Sequence, residues 1–135
     1  MVLYLILLVA IADSSAYFIG KRFGKNSLAP RLSPNKTLEG VMGAIAGATI
    51  WSILATVYFS SEMSAPDWPF FILLSIVTAI LSIAGDLFES LIKREANQKD
   101  SGALLPGHGG ILDRIDSQLV ALPFFTTGMI LGGIL

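Results

Sequence analysis

The sequence predicts an all-α integral membrane protein, a bundle of about four transmembrane helices with two basic cytoplasmic loops. Three observations predict it. Of 135 residues, 53% are hydrophobic and only 14% charged, where a soluble domain carries about 25% charged residues, and the mean hydropathy is +0.71. The apolar residues gather into four stretches long enough to cross a bilayer. All nine Lys and Arg residues fall in only two of the three connections between them. The same figures exclude other classes. A net charge of -1 and a pI near 5.7 leave no broad basic field for nucleic acid. With no cysteine there is no disulfide framework or thiolate nucleophile.

The first span runs from residue 1 to about residue 19 and is interrupted by Asp13. It lacks the basic leader and small-residue cleavage site of a signal peptide. The loop that follows, residues 20–40, holds Lys21, Arg22, Lys25, Arg31 and Lys36. The second span covers about 41–59, and the short connection after it carries Glu62 and Asp67 but no base. The third span covers about 68–91 and opens on Trp68, suited to anchor at the outer interface. A second basic loop holds Lys93, Arg94, Lys99 and Arg114, and the fourth span covers about 117–135 with Pro123 inside it. About 19 residues of helix give roughly 28 Å, close to the thickness of the hydrocarbon core. Backbone in lipid must satisfy its own hydrogen bonds, so these spans should be helices. Basic loops favour the cytoplasm, which would put both termini on the other side. Gly43 and Gly47, like Gly128 and Gly132, are spaced for close helix packing. With no repeat or linker, residues 1–135 read as one domain. The chain opens and closes inside apolar runs, as a fragment or an unusually short protein would.

Charged residues inside the spans are where function should lie. A carboxylate near the bilayer centre costs roughly 2.5–3.5 kcal/mol, so it should face a bundle interior or a wet cavity. Asp13 is one, and Asp86 and Glu89 are others. Ser75, Thr78, Ser82, Asp86, Glu89 and Lys93 follow spacings of 3, 4, 4, 3 and 4, which places them within about an 80° arc of one helix. Ser75 and Thr78 could simply join helices, Asp86 could pair with Lys93, and Glu89 with Lys93 at i,i+4.

Two loops carry further chemistry. In residues 107–116, glycines beside His108 can aim backbone N–H groups at an anion. Asp113 and Asp116 would share a face at the start of the fourth helix, either favouring its dipole or binding a hard divalent cation such as Mg²⁺. His108, the sole histidine, either shapes the loop or touches phosphate. Before the second span, Ser33 then Pro34 reads as a helix cap and first helical residue. That start would put Lys36 and Thr37 in a first turn able to cradle phosphate. Metal ions and a polyphosphate at a membrane boundary fit phosphoryl or nucleotidyl transfer.

At these residues the chain resembles the CDP-diacylglycerol synthases, or phosphatidate cytidylyltransferases. Their signature, S-x-apolar-K-R, four residues, K-D-x-G, then P-x-H-G-G-x-x-D-R-x-D, appears as Ser90, Lys93-Arg94, Lys99-Asp100, Gly102, Pro106, His108-Gly109-Gly110, Asp113-Arg114 and Asp116. The upstream Asp13, Ala16-Tyr17-Phe18, Gly20-Lys21, Phe23-Gly24-Lys25, Ser33-Pro34, Lys36-Thr37 and Glu39-Gly40 look like the family too. The resemblance spans nearly the whole chain but only the C-terminal half of a usual member. It implies that CTP and phosphatidic acid give CDP-diacylglycerol and pyrophosphate, the lipid phosphate attacking the α-phosphorus of CTP in line. Asp86, Asp113 and Asp116 would hold Mg²⁺, with a second cation such as K⁺ as an option, and Asp86, Lys93, Asp113 and Asp116 would be the catalytic set. Phosphates would meet Ser33, Lys36, Thr37, Arg94, Lys99, His108, Gly109, Gly110 and Arg114. The partners expected are CTP, phosphatidic acid and membrane lipid, with no nucleic acid, and either a second copy in a homodimer or the absent N-terminal spans. The expected location is the bacterial inner membrane with the site on the cytoplasmic side.

A small ion-conducting protein or transporter would also explain Asp13, Asp86 and the polar stripe. It gives no reason for the Gly-rich His loop or the Lys-Asp and Asp-Arg pairs. A non-catalytic half that needs its N-terminal spans is a third reading.

Overall fold

The computed structural model describes residues 1–61, 67–95 and 112–134, without the side chains of residues 112–117. In chain order the elements are α1 (Val2–Phe23), β1 (Ser27–Ala29), β2 (Ser33–Thr37), α2 (Leu38–Tyr58), α3 (Trp68–Glu95) and α4 (Leu112–Leu131). This is the predicted helical membrane bundle with one addition, a small antiparallel hairpin. α1, α2 and α3 are each long and apolar enough to cross a membrane. The apolar part of α4, Gln118–Leu131, is shorter, at about 20 Å. α4 begins five residues before the expected span, and it ends at Leu131 where Gly132 and Gly133 follow, Gly133 at a φ of 69° that a side chain would resist.

α1 and α3 also run past their apolar stretches and close on bases, Lys21 and Arg22 in one, Lys93 and Arg94 in the other. Cations there oppose the partial negative charge of a helix C-terminus. The α1 end leads into the hairpin, and α3 meets β2 through Asp86, nine residues before its basic end.

Small residues decide how α2 meets α1. Gly40, Gly43, Ala44, Gly47 and Ala48 recur at helical spacing along α2. A Cβ on Gly40 would stand 2.9 Å from the Ala16 carbonyl oxygen, one on Gly43 2.9 Å from that of Ser15, and one on Gly47 would collide with the Ser15 hydroxyl. Gly128 of α4 and Gly132 just past its end meet the Leu74 and Phe70 side chains of α3 as closely. The glycines of α2 therefore let its backbone approach that of α1, and those at Gly128 and Gly132 make room for α3 side chains, which is how helices associate where lipid offers no hydrophobic driving force.

The core runs through Leu5, Leu8 and Ala12 of α1, Ala44 and Ala48 of α2, Leu74 and Ala79 of α3, and Phe125 and Met129 of α4. Far from the hairpin, Tyr4 packs against Phe71 and Phe125 at centroid distances of 5.1 and 5.6 Å. Its hydroxyl shares a 2.7 Å hydrogen bond with that of Ser75. Ser75 thus joins helices, as one reading of the polar stripe held. The hydroxyls of Thr78 and Ser82, both fully buried, donate to their own helix at Leu74 O and Ala79 O. Leu3, Ile50, Leu54, Phe88 and Leu131 are more than half exposed, a surface that suits lipid rather than water.

The hairpin corrects one expectation. Ser33 and Pro34 do not cap and open α2; they lie in β2, where Ser33 pairs with Ala29 and Thr37 with Ser27. The cap is Thr37, whose φ of −120° and ψ of 156° are extended and whose hydroxyl accepts from Gly40 N–H at 3.1 Å. Asn26 explains why the later start wins. Its carbonyl accepts from Leu38 N–H at 3.0 Å, and its own side chain and backbone N–H donate to the Glu39 carboxylate at 3.0 and 3.3 Å. These bonds close the base of the hairpin on the first turn of α2. Pro34 fits the strand because the lost N–H is tolerated at a sheet edge.

Candidate active site

Where the hairpin meets the bundle, the chain encloses a cavity of about 350 Å³. Asp13 and Tyr17 reach it from α1, Ser33, Lys36 and Thr37 from β2, and Asp86 from α3. Helical geometry explains the depth. Asp13 lies ten residues before the end of α1 and Asp86 nine before the end of α3, so each is about 14–15 Å from its helix end. Both carboxylates therefore sit at similar levels, and the strand between them brings in the base.

Lys36 Nζ donates to Asp86 Oδ2 at 2.8 Å, across fifty residues of sequence. The two side chains are 29% and 20% exposed. One turn further along α3, Lys93 Nζ forms an ion pair with Glu89 Oε1 at 2.9 Å, the i,i+4 pair that the spacing allowed. Ser90 lies on the same turn and donates from its hydroxyl to the Asp86 carbonyl at 3.0 Å. Arg94 follows in the last turn of α3. The stripe is thus a path of polar groups that is buried at Ser75, Thr78 and Ser82 and opens at Asp86.

The cradle differs from the one the sequence suggests. Leu38 N–H and Gly40 N–H are already taken, by Asn26 and Thr37, so the first turn of α2 offers fewer donors to a phosphate. The strand offers side chains instead. The Thr37 hydroxyl accepts from Gly40 N–H, which leaves its own proton available to an anion in the cavity.

Several expected residues lie elsewhere. Lys99, His108, Gly109 and Gly110 fall outside the described residues. Asp113, Arg114 and Asp116 occupy the first turns of α4, with their side chains outside the described set. Among the described residues, no three His, Cys, Asp or Glu side chains come close enough to hold a metal ion. The donor chemistry still fits a hard cation in part: a carboxylate oxygen of Asp86 already accepts a cation, the Lys36 ammonium, and the Asp13 carboxyl lines the same cavity. Asp13 was evident in the sequence as a misplaced charge, but nothing there tied it to Asp86. Asn26 gave no signal and Glu39 only a family likeness, because their partnership spans a hairpin that the sequence did not announce.

A second cavity, of about 470 Å³, lies at the far end among Tyr4, Leu7, Trp51, Leu54 and Tyr58. Its walls are mostly apolar and carry no charged side chain.

The chain is similar to known proteins over most of its length. Residues 1–131 match the model of the cytidylyltransferase family. Phosphatidate cytidylyltransferase of Haemophilus influenzae is 48% identical over 93% of this chain and 44% of its own length. The proteins of the same name from Bacillus subtilis and Pseudomonas aeruginosa are 42% and 45% identical, over 91% and 93% of this chain and 45% of each relative. The chain therefore spans somewhat less than half the length of these curated relatives. A solved intramembrane enzyme for archaeal membrane lipid biosynthesis shares the fold, with a TM-score of 0.67, at 21% identity over 93% of this chain and 76% of that one. With a family match across nearly all its residues and relatives this similar, the chain belongs to the cytidylyltransferase family.

Proposed function

We propose that this chain is the nucleotide- and metal-binding part of a membrane nucleotidyltransferase that converts CTP and phosphatidic acid to CDP-diacylglycerol and pyrophosphate. The names of its relatives support the reaction class. The observation that carries the reading is the Lys36–Asp86 pair, set in a cavity with Asp13, Ser33 and Thr37 at membrane depth. Charged groups of both signs are costly there and are kept where they handle charged ligands.

An oxygen of the lipid phosphate attacks the α-phosphorus of CTP. A new P–O bond forms as the bond between that phosphorus and the oxygen bridging to the β-phosphorus breaks, and pyrophosphate leaves. Such chemistry asks the protein chiefly for positioning and charge neutralisation. Lys36, Ser33 and Thr37 hold phosphate oxygens from the strand side, and Lys93 and Arg94 from the end of α3. Lys99, His108, Gly109, Gly110 and Arg114 serve the nucleotide from the second basic loop. Mg²⁺, held by Asp86, Asp113 and Asp116, with a second cation such as K⁺ as an option, supplies neutralisation of the polyphosphate. The basic helix ends support a site on the cytoplasmic face of a bacterial inner membrane. The phosphatidate enters sideways between helices whose outer faces are apolar. The partner that completes the lipid side is either the N-terminal spans expected from the family resemblance or a second copy.

The test uses the chain in detergent with Mg²⁺, phosphatidic acid and labelled CTP, following label into the organic phase. Incorporation abolished by Asp86→Asn, by Asp113→Asn and by omitting Mg²⁺ is the expected result. Incorporation that survives both substitutions overturns the site. If label stays aqueous while CTP still binds in a metal-dependent way, this chain is a half-site, and co-expression with the N-terminal spans of a relative should restore turnover.

A further inference from the structure

Lys36 and Asp86 occupy each other in a cavity where the proposed reaction gives each a different partner. Lys36 Nζ lies 2.8 Å from Asp86 Oδ2, and neither residue is positioned by this contact alone: Lys36 is fixed by its strand, Asp86 by α3. A carboxylate this far from the helix end needs a counter-cation when no ligand is present, and the ammonium provides one. A hard divalent cation would bind the same oxygen, and two cations within about 3 Å of each other repel strongly in a medium that screens poorly.

We propose that Lys36 and the divalent cation compete for Asp86, and that the displaced ammonium becomes a phosphate ligand, so that the site takes its nucleotide as the cation complex. The proposal deepens the functional reading above and rests on Asp86 being a cation ligand. Its physical content is charge exchange. A cation arriving alone must evict the ammonium from the Asp86 carboxylate, with only Asp13 left as an acidic side chain lining the cavity. A nucleotide arriving alone must draw the ammonium away and expose the carboxylate. Arriving together, they exchange partners and leave no charge unmatched. Each ligand then tightens the other by the same factor, as linkage requires. The lysine is a built-in placeholder that weakens the binding of either ligand by itself.

The test reads binding, with the full chain in detergent micelles and Mn²⁺ as a paramagnetic stand-in for Mg²⁺. Without nucleotide, Lys36→Met should bind Mn²⁺ roughly tenfold more tightly than the unaltered chain, because the competitor is gone, and Asp86→Asn should abolish that binding. A second measurement needs no substitution. Acetylation of Lys36, followed by mass spectrometry, should accelerate several-fold when Mn²⁺ is added alone and slow again when CTP is added with it. If Lys36→Met binds Mn²⁺ no better while Asp86→Asn still loses it, or if Mn²⁺ leaves Lys36 acetylation unchanged, the exchange is overturned and the cation site stands. If Asp86→Asn leaves Mn²⁺ binding intact, or the unaltered chain and Lys36→Met both fail to bind it, the cation role of Asp86 falls and the exchange with it.

Discussion

Removing both members of the Lys36–Asp86 pair should cost clearly less than the two single removals added together. The pair joins β2 to α3 at 2.8 Å with side-chain exposures of 29% and 20%. Exposed pairs contribute about 0.2–1 kcal/mol, whereas deleting one partner of a fully buried pair costs about 3–5 kcal/mol, since the other charge is stranded. At this exposure Lys36→Met should cost about 2 kcal/mol and Asp86→Asn about 1–2 kcal/mol. The double substitution should cost about 2 kcal/mol rather than the sum, a coupling of about 1.5 kcal/mol. The assay is equilibrium unfolding in mixed micelles with EDTA, read by the fluorescence of Trp51 and Trp68. Both tryptophans lie in described helices, α2 and α3. Single substitutions that add to within about 0.5 kcal/mol in the double variant would refute the stranded-charge argument. The ion pair would then be an incidental contact.

Other substitutions test the elements that build the cavity. Thr37→Val removes the cap on Gly40 N–H and should lower stability by about 1 kcal/mol in the same unfolding assay. Gly47→Leu would force a side chain into Ser15 and Ile11 and should cost about 1–3 kcal/mol. Ile50→Val, on the same helix but 62% exposed, should stay within about 0.5 kcal/mol in a micelle. Tyr4→Phe deletes the bond to Ser75, whose hydroxyl also donates to Phe71 O, so the loss should be about 1 kcal/mol with no change in CTP binding. Chelating divalent cations with EDTA should abolish transfer of label from CTP to lipid, and added Mg²⁺ should restore it; transfer that persists would remove the metal from the proposed mechanism.

The membrane class was legible because apolar runs of span length and segregated charges leave few other ways to satisfy a backbone. The direction in which the third span faces was legible too. Ser75, Thr78, Ser82 and Asp86 repeat at helical spacing, so a single rotation buries them all. The spacing of glycines at 43 and 47 likewise foretold close packing, though not that α1 would be the partner. Sequence motifs alone tied the chain to its family.

The hairpin was not legible. Ser33-Pro34 carries a genuine helix-start signal, yet the helix starts only after Thr37. Choosing between the two starts depends on Asn26, thirteen residues before the Glu39 it binds, and no local pattern encodes that contact. The sequence by itself determined which residues must hide from lipid, since hydropathy and charge are properties of single side chains and their period. Only the tertiary structure decided which charges meet. Lys36 finds Asp86, and Asp13 joins their cavity, because α1, β2 and α3 converge there, and that convergence is set by glycine contacts between α1 and α2 and by the Thr37 cap at the cavity's edge.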